Sequence, residues 1–136
     1  MPSLLQAYDP TKNQYICQQL VDYTARHIGQ EWAHQDEHLA FYLEDDRGAL
    51  RGGLVAHITW GVLHIKHLWV HPDYRGKGYG RQLIEKAEEA AHKHKCRGLQ
   101  LETADYLAPA FYEKMGFTLS PHYFKGTKTL KPDTIG

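Results

Sequence analysis

The stretch Val70-His-Pro-Asp-Tyr-Arg75-Gly-Lys-Gly-Tyr-Gly80-Arg81 decides how this sequence is read. An apolar run ends at Val70, Pro72 stops it, three alternating glycines follow, and a helical pattern begins at once. Glycine has no Cβ, so it admits positive φ and lets successive backbone N–H groups converge on one point. The helix start adds unpaired N–H donors and a partial positive charge. Arg75, Lys77 and Arg81 add formal charge around it. Such a strand–loop–helix unit is an anion site, and the expected ligand is a phosphate or pyrophosphate.

Two familiar phosphate-binding designs do not fit. A P-loop needs Gly-x-x-x-x-Gly-Lys-Ser/Thr, whereas Lys77 precedes Gly78 and no Ser or Thr follows. A dinucleotide fingerprint needs Gly-x-Gly-x-x-Gly, and Arg81 stands where its third glycine belongs. Glu102 does lie at the distance of a ribose-binding acid, but 136 residues are too few for two dinucleotide-binding halves.

Outward from the loop the elements follow in order. Asp9-Pro10 has the form of an N-cap followed by proline at the first helical position, and Ile16, Leu20, Val21, Ala25 and Ile28 form a helical stripe that Gly29 closes. Leu39 to Leu43 reads as a strand, Asp45 to Gly48 as a turn, and Leu50 to Trp60 as a second strand interrupted by Gly52-Gly53. Gly61 opens a hairpin into a third strand over Val62 to Val70. Beyond the loop, Leu83, Ile84, Ala87, Ala90 and Ala91 mark the apolar face of a long helix, with Gly98 as its terminator. Leu99 to Thr103 is a short strand and Ala108 to Met115 a short helix ended by Gly116. Strand resumes at Phe117, with Thr127 to Leu130 paired to it, and the tail after Lys131 is loose. Residues 1–136 therefore read as a single α/β domain, of the α+β kind with a mixed sheet.

Lys plus Arg and Asp plus Glu both number 16, which gives no electrostatic footprint for nucleic acid or an anionic membrane. The basic cluster Lys93-His-Lys95-Cys-Arg97 falls at a helix C-terminus, where cations are favoured anyway. No signal peptide is visible at the N-terminus and no apolar run approaches the ~20 residues that cross a bilayer, so a cytoplasmic protein is expected. Cys17 and Cys96 are read as reduced thiols. No His-Glu-x-x-His occurs, and His92 and His94 would point roughly 200° apart on a helix, so no metal site is expected.

Arg75-Gly-Lys-Gly78-Tyr-Gly80 matches the signature Arg/Gln-x-x-Gly-x-Gly/Ala, and Ala108-Pro-Ala-Phe-Tyr112-Glu-Lys-Met-Gly116-Phe117 matches Ala-x-x-Leu/Phe-Tyr-Glu-Lys-x-Gly-Phe. In these motifs, and in its order of elements, the chain resembles the GCN5-related N-acetyltransferase (GNAT) superfamily. The resemblance implies an acyl-coenzyme A N-acyltransferase fold: an N-terminal helix, an antiparallel meander, then βαβα-β with a splayed central sheet. It implies acetyl-coenzyme A as cosubstrate, its pyrophosphate held at Arg75, Gly76, Lys77, Gly78, Tyr79, Gly80 and Arg81. Leu68, Trp69 and Val70 would pair their backbone with the pantetheine arm, and Ala108 and Phe111 would flank the cofactor, although Phe111 by itself reads as a core aromatic. Asp105 departs from the asparagine that many members carry three residues before the motif alanine; its charge would be unfavourable beside phosphates.

By the same resemblance Tyr112 hydrogen-bonds the coenzyme A sulfur and protonates the leaving thiolate. A tyrosine of pKa ~10 is a donor at neutral pH, but full transfer to a thiolate of pKa ~8.5 is uphill by ~2 kcal/mol. Hydrogen bonding in the transition state is therefore the safer role. The acceptor amine, of pKa ~10.4, costs ~4.6 kcal/mol to deprotonate at pH 7, so a base or water relay is expected. The family often uses a glutamate on the strand before the loop. That strand has no carboxylate here, only His64 and His67, which a regular strand places on opposite faces. His64 matches the glutamate position best, while a core or solvated histidine accounts for either residue, and Glu31 and Glu102 stay open as bases.

The expected function is N-acetyl transfer from acetyl-coenzyme A to an amine of a small molecule or peptide, by direct attack in a ternary complex. A non-catalytic acyl-coenzyme A sensor or adaptor is the alternative. No nucleic-acid or membrane partner is expected, and a homodimer is compatible with the reading. The acceptor pocket is expected near the first helix and the segment from Glu31 to His38, with Trp32 as a wall.

Overall fold

The structure, a computed structural model, describes residues 1–28, 32, 35–102, 109–120 and 125–130. Contacts divide the chain into two compact units, residues 1–34 and 35–136. The first contains helix α1 (Pro10–Ile28). Its N-terminus is capped as the sequence suggests: the Asp9 Oδ1 accepts from the backbone N–H of Thr11 at 3.0 Å and of Lys12 at 3.3 Å.

The second unit is built on one mixed six-stranded sheet. In chain order it holds β1 (Asp36–Glu44), β2 (Leu50–Thr59), β3 (Val62–Val70), a 3-10 turn (Pro72–Tyr74), α2 (Tyr79–Lys93), β4 (Gly98–Glu102), α3 (Pro109–Lys114), β5 (Thr118–Leu119) and β6 (Lys125–Thr129). The sheet order is β1-β2-β3-β4-β6-β5, with β3 and β4 parallel and every other pair antiparallel. The hairpin between β2 and β3 turns on Trp60 and Gly61, both at positive φ (53° and 75°), the two-residue geometry whose twist matches that of the flanking strands.

The core lies on one face of this sheet. Leu54, Ala56 and Ile58 of β2, Leu63 and Ile65 of β3, and Leu99 and Leu101 of β4 pack with Leu83, Ile84, Ala87 and Ala91 of α2. The helix stripe read from the sequence is thus its buried face. Its terminator is different. Lys95 takes the left-handed conformation (φ 58°) just past the last turn, and the Cys96 N–H donates to the Ala91 carbonyl at 2.8 Å. Gly98 instead begins β4, where a Cβ would stand 2.8 Å from the Lys128 carbonyl oxygen of β6. Close approach of two strands, not helix termination, requires glycine there.

Two features of β3 position everything that follows. It pairs with β4 only from Val62↔Gly98 to Ile65↔Leu101, while its ladder with β2 runs on to Val70. The central strands therefore part after Ile65. The β2–β3 register also shifts, with Val55 opposite His67 but Ala56 opposite Ile65, so Lys66 is the extra residue of a β-bulge. The bulge moves His67 onto the face that carries His64 and corrects the expectation that the two point to opposite faces. It also returns Leu68 and Val70 to the core side.

Cys96 closes the core at the end of α2, and burial pushes its thiol pKa up to about 11, with the Glu37 charge adding to the effect. A thiol so protonated is a poor nucleophile near neutral pH. In a Cys17→Ser variant, Cys96 should react with a disulfide reagent at pH 8 no faster than the protein unfolds. Reaction at the rate of a free thiol would show that Cys96 is not in the packed core.

Candidate active site

Where β3 and β4 part, a groove of about 820 Å³ opens. Leu68, Trp69 and Val70 form one side, and the loop from Tyr74 through Arg81 closes one end. Phe111 and Tyr112 of α3 also line it. Of the residues expected to hold a cofactor, Leu68, Trp69, Val70, Arg75, Gly76, Lys77, Gly78, Tyr79, Gly80, Arg81 and Phe111 line this one groove, beside Tyr112. Ala108, like Asp105 and Glu31, lies outside the described residues. Glu102 is placed in β4 by its backbone alone.

The glycines of the loop do different work. Gly76 and Gly78 sit at φ 75° and 85°, in the left-handed region. A Cβ at position 76 would meet nothing within 4 Å, and one at 78 only the Arg81 Nη2 at 3.9 Å, so both face open space. Gly80 is a packing residue: its Cβ would press the Phe111 ring at 3.3 Å, so glycine lets α2 and α3 approach.

Gly78 is the N-cap of α2 and no side chain caps the helix. The first amide to find a carbonyl is that of Gln82, which donates to Gly78 at 3.1 Å. Among the described residues, no backbone carbonyl accepts from the amides between Lys77 and Arg81. Amides without a backbone acceptor among the described residues, at the start of a 15-residue helix and with Arg75, Lys77 and Arg81 beside them, form a concentrated positive field. The surrounding contacts steady it. The Arg75 Nε–H donates to the Val70 carbonyl at 2.9 Å, joining loop to strand, and Lys77 Nζ lies 5.6 Å from the centre of the Tyr74 ring. This chemistry fits a pyrophosphate: backbone N–H donors and cations, with no carboxylate among the described residues that line the groove.

Tyr112 reaches the groove from α3 and is otherwise buried, 7% exposed, with its ring edge-on to Phe111 and Phe117. Its backbone carbonyl accepts from the N–H groups of Met115 and Phe117 as the helix ends at Gly116 (φ 94°). Lys128 of β6 ties this corner to α2, its Nζ donating to the Met115 carbonyl at 2.7 Å and pairing with Glu88 at 2.5 Å.

His64 does not share the groove with Tyr112. It lines a second cavity, of about 510 Å³, with His57, Thr59, Ile65, Lys66, His67, Gln100 and Leu101. His64 stands opposite Gln100, one register position before the strands part, so the two cavities lie along the same stretch of β3. The grouping of His57 and His67 with His64 was missed in the sequence. Its signal is the apolar spacing Leu63-x-Ile65-x-x-Leu68-x-Val70, a period of two broken by one step of three.

The acetyltransferase (GNAT) family model matches residues 2–117. The chain belongs to this family. Among its relatives, a blasticidin-S acetyltransferase from Streptomyces morookaense is 45% identical over 82 residues, 60% of this chain and 60% of that protein. The match thus spans somewhat less than two thirds of that curated relative. An acetyltransferase from Bacillus cereus superposes with a TM-score of 0.75 at 25% identity, over 94% of this chain and 98% of that one. The GNAT fold is also shared with an N-acetyltransferase from Thermoplasma acidophilum solved in complex with coenzyme A, with a TM-score of 0.62 at 18% identity over 90% and 80% of the two chains.

Gly78→Val should weaken coenzyme A binding at least about ten-fold, the loss expected when charge-assisted hydrogen bonds are blocked. Calorimetry on a variant shown folded by circular dichroism tests this. Unchanged affinity would remove the loop from the site.

Proposed function

We propose that this chain is an N-acetyltransferase that moves the acetyl group of acetyl-coenzyme A onto the amine of a small-molecule acceptor, by direct attack in a ternary complex. The observation that carries the reading is the uncapped, glycine-bearing N-terminus of α2, which opens into the same groove as the parted end of β3 and Tyr112. Family membership adds that the chemistry is acetyl transfer. The relative that acts on blasticidin S favours a small molecule over a peptide, and blasticidin S is the first acceptor to test. On this reading residues 1–136 act as one cytoplasmic N-acetyltransferase domain. No helix among the described residues is long and apolar enough to cross a membrane.

Acetyl-coenzyme A supplies the reactive thioester. The roles of the chain's own residues follow from their positions. The amides from Gly76 to Gly80, with Arg75, Lys77 and Arg81, hold the pyrophosphate. The backbone of Leu68 to Val70, on the side that has lost β4, orients the extended arm toward Tyr112. The Tyr112 hydroxyl donates to the sulfur as negative charge develops there, a role that needs no full proton transfer. The acceptor enters from the cavity on the other side of β3, where His64 takes the amine proton directly or through water. A donor groove and an acceptor cavity on one strand let both substrates be bound before bond making, as direct attack requires.

Calorimetry with acetyl-coenzyme A, desulfo-coenzyme A and ATP tests the cofactor assignment. Selective binding of the two coenzyme A ligands is expected, and no binding by folded protein would end the acyltransferase reading. Tyr112→Phe should lower kcat by about 10²-fold or more while changing acetyl-coenzyme A affinity little; full activity would exclude Tyr112 from the mechanism. His64→Gln should remove the ascending limb of the pH–rate profile, and His67→Gln should keep it. The reverse result would transfer the base to His67.

A further inference from the structure

We propose that Asp36, His38 and His57 form a binding site for one divalent late first-row transition metal ion, of which zinc is the natural representative. The inference is independent of the acetyl-transfer reading.

Strand geometry assembles the site. Asp36 and His38 are two residues apart on β1 and so project from one face. The β1–β2 register sets His38 directly opposite His57, and Asp36 opposite Thr59. Across the ladder the His38 and His57 rings stack with centroids 4.2 Å apart and planes 2° from parallel. The His57 Nε2 lies 2.5 Å from the Asp36 Oδ1. One ligand atom from each of the three side chains falls within 4.8 Å of the other two. Donors bound to one ion at ~2.0–2.2 Å stand roughly 3–4 Å apart, so small torsional changes on a fixed ladder complete the geometry.

The donor set selects the ion. Two imidazole nitrogens and one carboxylate oxygen suit zinc, nickel or copper, whereas calcium and magnesium favour sites made of oxygen alone. Three protein donors leave a coordination position for water. For His57 Nε2 to ligate the ion, its hydrogen bond to Asp36 opens and the ring carries its proton on Nδ1, and the carboxylate offsets part of the ion's charge. The ion would clamp β1 to β2. Because His57 also lines the cavity that holds His64 and His67, it would stand on that cavity's wall.

The experiment uses the full chain without an affinity tag, freed of metal by chelation and then dialysed against zinc chloride, with bound zinc measured by mass spectrometry. One ion per chain is expected. Replacing a group that merely orients a metal ligand costs roughly 10–100-fold in affinity, so His38→Gln and His57→Gln should each weaken binding at least about ten-fold. His92→Gln, on the exposed side of α2, should bind as the wild type does. Zinc should also raise the Tm of the wild type but not of His57→Gln, since a ligand stabilises only the state that binds it. Circular dichroism establishes that the variants are folded. Absence of zinc from the wild type, or undiminished binding in both histidine variants, would overturn the proposal.

Discussion

The separation of β3 from β4 after the Ile65↔Leu101 pair is the constraint on which the site depends. A parallel pair that stayed in register to Val70 would satisfy its own backbone and leave no groove. Here β3 keeps its ladder with β2 to the end, so it is held rigidly along one edge. On its other edge the β4 ladder stops at Ile65, while Leu68 and Val70 still pack against the core. Backbone N–H and C=O groups seek partners, and an extended ligand arm bearing amides offers them. The fold thus makes a groove beside strand termini that part, and Tyr112 and the glycine loop line it.

The loop adds charge to that geometry. Gly76 and Gly78 are glycines because the chain turns there through left-handed conformations, and a helix entered this way has no side-chain cap. Leaving the first amides of α2 without acceptors costs stability unless water or an anion takes them. The unpaired donors are therefore both a local weakness of the fold and the reason for assigning it an anion. Gly80 shows a separate constraint, because it sets how near α3 comes to α2 and hence where Tyr112 stands.

The face of the sheet opposite α2 has its own organisation. The extra residue at Lys66 rotates the end of β3 so that His64 and His67 share a cavity with His57, while Leu68 and Val70 stay with the core. One inserted residue thus meets two demands, apolar packing on one face and convergent imidazoles on the other. His57 is the link from this cavity to β1, through its stacking on His38 and its contact with Asp36, a carboxyl that the hydrogen bond from His57 holds below the usual range.

Local patterns in the sequence were enough for the class of fold, most element positions, and the glycine loop and Tyr112 as residues that line one groove. Each of these depends on residues close along the chain: the N-cap at Asp9, the period of α2, the turn after Thr59, the glycines of Arg75 to Gly80. Contacts between distant segments lay beyond that reach. That Gly98 makes room for Lys128, that Gly80 makes room for Phe111, and that His57 meets both His38 and His64 follows from strand order, register and helix packing. The bulge left a trace in the spacing of Ile65 and Leu68, but which cavity it would complete was decided by tertiary structure. A strand's neighbours are set by how all the strands share one core, and no single segment carries that information.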